Sequence, residues 1–192
     1  MSQSSTSVTP VDRYYAQPYS IDAVGFAFTS LNDFQSKAIE HSEQLSQPRE
    51  AYALHLLDGP HQRLFQALDI SPVNLAAWFR LIDEIDGEEQ AYGIACCLAE
   101  NGIDLSEVAA TYDNCMFWQE TAEEYARDFV QHEAIDWLEQ GSELADYMNY
   151  HLLGRNLIRQ KAMIEVALDL VLVRFDEVSK WWSAMTVGYS RQ

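Results

Sequence analysis

His132-Glu133-Ala134-Ile135-Asp136 is the nearest approach in this chain to a catalytic signature. It is H-E-x-x-H with aspartate in the last place, and at helical spacing His132 and Asp136 share a face on which they could hold a metal ion. A histidine exposed among carboxylates is the more ordinary reading of the same residues. Neighbouring carboxylates, Asp83 with Glu84 and Glu123 with Glu124, are the second candidate, since two carboxyl groups are the acid and base of glycoside hydrolysis. Acids are so abundant here that such neighbours arise by chance, and no polar, glycine-rich loop singles one pair out. Cys96 and Cys97 fall on the apolar side of a predicted helix and read as small buried hydrophobes rather than nucleophiles. The patterns G-x-S-x-G, G-x-G-x-x-G, G-x-x-x-x-G-K and C-x-x-C do not occur. No enzyme activity, metal or cofactor is expected.

Negative charge is what the sequence has in abundance. Its 192 residues carry 30 Asp and Glu against 12 Lys and Arg, a formal net charge of -18. Residues 81–150 hold 18 of the acids and one base, Arg127. Half of that segment is apolar, with Phe117, Trp118, Phe129 and Trp137 among its aromatics, so it is not a solvated tail. Its acids alternate with apolar residues at helical period, which places them on a folded scaffold. Glu120, Glu124 and Asp128 recur every four residues and stack like charges without lysine partners, a local cost that solubility alone does not demand. Such a field repels nucleic acid and anionic lipid and selects basic partners. Eighteen carboxylates carry the charge of roughly 9 base pairs of B-DNA, and their helical spacing of about 5 to 6 Å is not far from the step between phosphates.

The elements that must hold these acids follow from periodicity and punctuation. GFAFTS at Gly25–Ser30 alternates as a strand, Ser30–His41 reads as a helix capped by Ser30 or Asn32, and Ala51–Leu57 alternates again before an Asp58-Gly59-Pro60 turn. Ser71-Pro72 is the expected start of a helix carrying Leu75, Trp78, Phe79 and Ile82, ended by Asp86-Gly87. A second helix is predicted over Glu88–Glu100, with Tyr92, Ala95, Cys96 and Ala99 on one face and Asn101-Gly102 as its C-terminal cap. Thr121 and Glu124 form a T-x-x-E capping box for a third, with Tyr125, Phe129 and Val130 inward. Helical stretches at Ile135–Leu138 and Ser142–Met148 are separated by Gly141, and Asn149–Gln160 reads as a further helix. From Ile164 to Leu172 apolar residues alternate as in one strand.

The fold class expected is α+β, an elongated chain of small subdomains. A disordered leader (1–13) precedes an N-terminal strand-helix-strand subdomain (14–60), a central helical subdomain (61–111), an acidic subdomain (112–160) and a C-terminal extension (161–192). Three cysteines, two adjacent, fit no disulfide framework and point to a reducing cytoplasm. The first ten residues lack the pattern of a signal peptide, and the longest apolar stretch, Ala162–Phe175, is short for a bilayer and interrupted by charge.

Several segments resemble the ArdA antirestriction family, acidic DNA mimics carried by plasmids, transposons and bacterial genomes. GFAFTSLNDFQSKA and AYALHLLDG resemble that family's first strand, helix and strand. WFRLIDEIDGEEQAYGIACCLAENGIDL is similar to its central helices, and ETAEEYARDFVQHEAIDWL with LADYMNYHLLGRNL to its later segments. The resemblance spans about residues 20–158. It implies a curved, elongated, three-domain protein that dimerises and occupies the DNA-binding site of type I restriction-modification enzymes; from the charge and the short apolar stretches, no direct binding of nucleic acid or membrane is expected. It also implies that the acids of the matching segments stand in for phosphates: Asp83, Glu84, Asp86, Glu88, Glu89, Glu100, Asp104, Glu107, Asp113, Glu120, Glu123, Glu124, Asp128, Glu133, Asp136, Glu139, Glu143 and Asp146. Gly154 and Asn156 stand where the family often has Ala and Asp, Arg155 and Arg159 make that stretch basic, and the tail with Trp181 and Trp182 departs from the family. The alternative is an acidic adaptor or immunity-like protein that binds one basic, DNA-binding protein without DNA-like geometry.

Overall fold

Tyr14, Ala16 and Pro18 are buried and alternate with Arg13, Tyr15 and Gln17, a period of two that makes β1 (Arg13–Pro18) a strand with one face on a core. The computed structural model describes residues 11–20, 23–45, 52–132 and 148–189. β1 is the centre of an antiparallel sheet, flanked by β2 (Phe26–Phe28) and β3 (Tyr52–Asp58). Between the two flanking strands runs α1 (Leu31–Leu45), whose first turn is capped by the Ser30 hydroxyl accepting from the Asp33 N–H at 3.2 Å. The Phe34 ring packs on Phe26, Phe28 and Tyr52. The predicted strands and helix are thus present, but the central strand was not expected from the sequence, and Asp12 and Arg13, assigned to the leader, are folded. Residues 1–10 of that leader lie outside the described residues.

A short α2 (Gln62–Ala67) leads to α3 (Leu75–Ile85), α4 (Glu89–Glu100) and α5 (Leu105–Thr111). Ser71-Pro72 does not open α3. The Asn74 side chain accepts from the Ser71 N–H and donates to the Asp69 carbonyl, both at 2.8 Å, and this turn delays the helix to Leu75. α3 ends before Asp86-Gly87 as its sequence predicts. α4 buries Ile94, Cys97 and Leu98 as well as Ala95, Cys96 and Ala99, so it is covered on more than the single expected face. Its end is a Schellman motif: Gly102 (φ +74) donates to the Ala99 carbonyl at 3.0 Å and Ile103 to that of Leu98 at 3.2 Å.

A 3-10 turn (Tyr112–Asn114) precedes β4 (Cys115–Trp118), α6 (Ala122–His132), α7 (Tyr150–Arg159), β5 (Met163–Ala167), β6 (Leu170–Arg174) and α8 (Phe175–Tyr189). The expected single strand from Ile164 to Leu172 is instead a hairpin, broken at Leu168-Asp169, and β6 lies between β4 and β5. Tyr125, Ala126 and Val130 of α6 and Leu153 and Leu157 of α7 share a core with Met163, Val171 and Val173, and Trp181 and Trp182 pack against it. The helical stretches predicted at Ile135–Leu138 and, up to residue 147, at Ser142–Met148 lie outside the described residues.

The chain divides into two compact units, Met1–Ala109 and Ala110–Gln192. In the first, the Trp78 indole donates to the Tyr14 hydroxyl at 2.9 Å and joins the helical segment to the sheet. In the second, pairing of β4 with β6 makes the C-terminal extension part of the acidic subdomain's sheet.

Candidate functional site

Leu81, Ile82 and Ile85 face the core of the first unit, so at 3.6 residues per turn Asp83 and Glu84 face solvent, and Asp86 is exposed just beyond the helix end. Glu88 and Glu89 follow on the turn into α4, where the helix dipole favours negative charge. All five side chains are exposed, with no hydrogen bond or ion pair to any described residue. Seven residues of chain therefore present five uncompensated carboxylates.

The other acids of this unit serve the fold as well. Glu100 accepts two hydrogen bonds from the Arg63 guanidinium, at 2.6 and 2.7 Å. That pairing holds its carboxyl below the usual range and the guanidinium above its own, so Glu100 is ionised but neutralised. Asp104 caps α5, accepting from the Glu107 N–H at 2.9 Å, and Glu107 is exposed on the first turn.

In the second unit the capping box forms as its sequence predicts. Thr121 Oγ1 accepts from the Glu124 N–H at 3.2 Å, and Glu124 accepts from the Thr121 N–H at 2.9 Å. Those bonds from the backbone and hydroxyl of Thr121 lower the Glu124 pKa. Glu123 meets Arg127 at 3.2 Å and His151 at 3.5 Å. Glu120 is half-buried, and its Oε2 is buried without a hydrogen-bond partner. Desolvation first, then the charges of Asp128 and Glu124, raise its pKa. Asp113 and Asp128 are exposed. Glu133, Asp136, Glu139, Glu143 and Asp146 lie outside the described residues.

Arg63 and Arg127 are therefore what sequence reasoning missed: each cancels one carboxylate of the expected array. Arg127 stands four residues from Glu123, the spacing of a helical ion pair, whereas Arg63 is 37 residues from Glu100 and carries no sequence signal. Also unforeseen is a buried polar cluster in the first unit. Asp12 accepts from the Tyr14 hydroxyl at 2.9 Å, from His61 Nδ1 at 2.7 Å and from the His61 N–H at 3.3 Å. Burial alone would raise the Asp12 pKa, but the hydrogen bonds and charge of its neighbours outweigh it and hold the carboxyl below its ordinary value.

All three cysteines are buried and none forms a disulfide, and burial pushes the Cys97 pKa up to about 11, which suits packing rather than nucleophilic attack. Among the described residues no three His, Cys, Asp or Glu side chains group as a metal site, and no helix is long and apolar enough to cross a membrane. No protein-family model matches the chain, and no curated protein matches it.

Proposed function

We propose that the protein is a non-enzymatic antirestriction inhibitor, whose acidic surface occupies the DNA-binding site of a type I restriction-modification enzyme as phosphates would. The observation that carries this reading is the run of five exposed, uncompensated carboxylates from Asp83 to Glu89 on a helix end and turn anchored by buried Leu81, Ile82 and Ile85. Carboxylates on rigid elements supply preorganised charge, which steers association with a basic groove and fixes register there. The resemblance to the ArdA family supplies the target class and a homodimer, and the three cysteines, which fit no disulfide framework, suggest a reducing cytoplasm.

The test is displacement of duplex DNA from such an enzyme by the native protein and by a variant with Asp83→Asn, Glu84→Gln, Asp86→Asn, Glu88→Gln and Glu89→Gln. The native protein should displace DNA, and the folded variant should need at least tenfold more protein, about 1.4 kcal/mol of lost binding. Equal displacement by both would refute the role of these acids.

The pairing of Glu100 with Arg63 and of Glu123 with Arg127 favours a second reading, because it interrupts a phosphate-like array. On that reading the protein is an acidic adaptor or immunity-like partner of a basic protein. Moving acids along the surface at constant net charge separates the two: a geometric mimic loses affinity and a diffuse electrostatic binder does not.

A further inference from the structure

In the second unit, α6, the start of α8 and Trp118 of β4 surround a cavity of about 330 Å3. Four aromatic side chains line it: Trp118, Tyr125, Phe129 and Phe175. Tyr125 and Phe129 stand one turn apart on α6, their ring planes 18° apart and their centroids at 6.3 Å. The Trp118 ring crosses that of Tyr125 at 82° and 5.7 Å, so the rings wall the cavity in two nearly perpendicular orientations. Trp182 braces Phe129 edge to face at 5.5 Å, and buried Val178 adds carbon to the lining.

Charge at the rim is negative. Asp128 lines the cavity, is exposed, and makes no ion pair with a described base. The Glu120 carboxylate, whose Oε2 is buried without a hydrogen-bond partner, interacts repulsively with that of Asp128. Neighbouring bases are engaged elsewhere, Arg127 with Glu123 at 3.2 Å and Lys180 with Glu177 at 2.7 Å, while His132 shares the rim one turn after Asp128. An anion is disfavoured, and a cation gains from the carboxylates and from the electron-rich rings. The wall selects among cations. An ammonium brings three N–H donors and a guanidinium five, and a mainly carbon lining with one carboxylate leaves most of them without acceptors once water is displaced. A quaternary ammonium has no N–H to satisfy, and aromatic rings are its usual surroundings.

We propose that this cavity binds a quaternary ammonium group. Trp118, Tyr125, Phe129 and Phe175 pack around its methyl groups, and Asp128 supplies the opposing charge at the rim. The volume suits a small ligand, since such pockets begin at about 300 Å3. This site goes beyond the proposed function and does not rest on it.

The experiment is a titration of the full chain with choline, following the ring resonances of Trp118, Tyr125 and Phe129 by NMR. The uncharged tert-butyl analogue of choline has nearly the same shape without the charge, and ethanolamine has the charge with N–H donors in place of methyl groups. Saturable shifts are expected with choline, and binding weaker by about tenfold or more with either control. Phe175→Leu, which keeps apolar surface but removes a ring, and Asp128→Asn should each weaken choline binding by about threefold or more. Both side chains are exposed, so neither variant is expected to disturb folding. Acetyl-trimethyllysine-amide binding more tightly than choline assigns the group to a modified protein side chain, and the reverse order to a small molecule. Shifts that do not saturate, that either control reproduces, or that both variants leave unchanged overturn the proposal. Failure of DNA displacement removes the inhibitor reading and leaves this site standing.

Discussion

Asp12 shows how one buried charge is tolerated. Its carboxylate accepts from Tyr14, the His61 ring and the His61 backbone, so removing it leaves buried donors with nothing to meet. Asp12→Ala is expected to cost about 2 to 4 kcal/mol in chemical denaturation. The pH dependence has a definite sign. A folded pKa below the ordinary 3.8 means that the unfolded state takes up the proton first. The stabilisation from Asp12 is complete above that ordinary value and disappears as pH falls through the lower folded value, so the native protein and Asp12→Asn should converge in stability in strong acid. Glu120 has the opposite sign. Its folded pKa lies above 4.5, so the folded state holds the proton longer, stability falls as pH rises through that window, and the penalty is full at neutral pH. Glu120→Gln should stabilise by about half a kcal/mol at pH 7, and the gain should vanish below pH 4.5. No difference in thermal midpoint at pH 7 would contradict the desolvated placement of Glu120.

At the scale of elements, one position within α7 and one just beyond its end shape the second unit. A Cβ on Gly154 would lie 2.5 Å from the Ala122 carbonyl oxygen, where α7 meets the start of α6. This gives a packing reason for glycine where the resembling family often has alanine. Gly154→Ala should destabilise by about 1 to 3 kcal/mol, read as a lower denaturation midpoint. Lys161 closes α7 at φ 57, donating to the Ile158 carbonyl at 2.9 Å while Ala162 donates to that of Leu157 at 3.0 Å. Glycine adopts that left-handed conformation without a Cβ penalty, so Lys161→Gly should stabilise by about 0.5 to 1 kcal/mol. Elements with local signals were legible in the sequence: the T-x-x-E box at Thr121, the Asn101-Gly102 stop and the Ser30 cap each depend on residues within a few positions. β1 was not, because RYYAQP is mostly polar or aromatic and becomes a central strand only through pairing with β2 and β3. The β5–β6 hairpin was masked by alternation that continues through Leu168, which is exposed at the turn. The acids were legible as residues, but their compensation by Arg63 depends on a contact across 37 positions, which periodicity does not carry.

Across the whole molecule, charge is concentrated rather than spread. Residues 81–150 hold 18 acids to one base within a total of 30 acids to 12 bases, and the described part of that segment mounts them on apolar cores. Binding through many such charges should weaken steeply with salt, so inhibition should fall by about tenfold or more between 50 and 200 mM salt. A flat salt profile would oppose both the mimic and the adaptor. Occupancy of a DNA site would show in the inhibition of a type I restriction-modification enzyme measured at increasing duplex DNA concentration. Mutually exclusive binding is expected, with the concentration of protein needed for half-inhibition rising in proportion to DNA. Half-inhibition that is independent of DNA, or a stable ternary complex of enzyme, duplex and inhibitor, would contradict it.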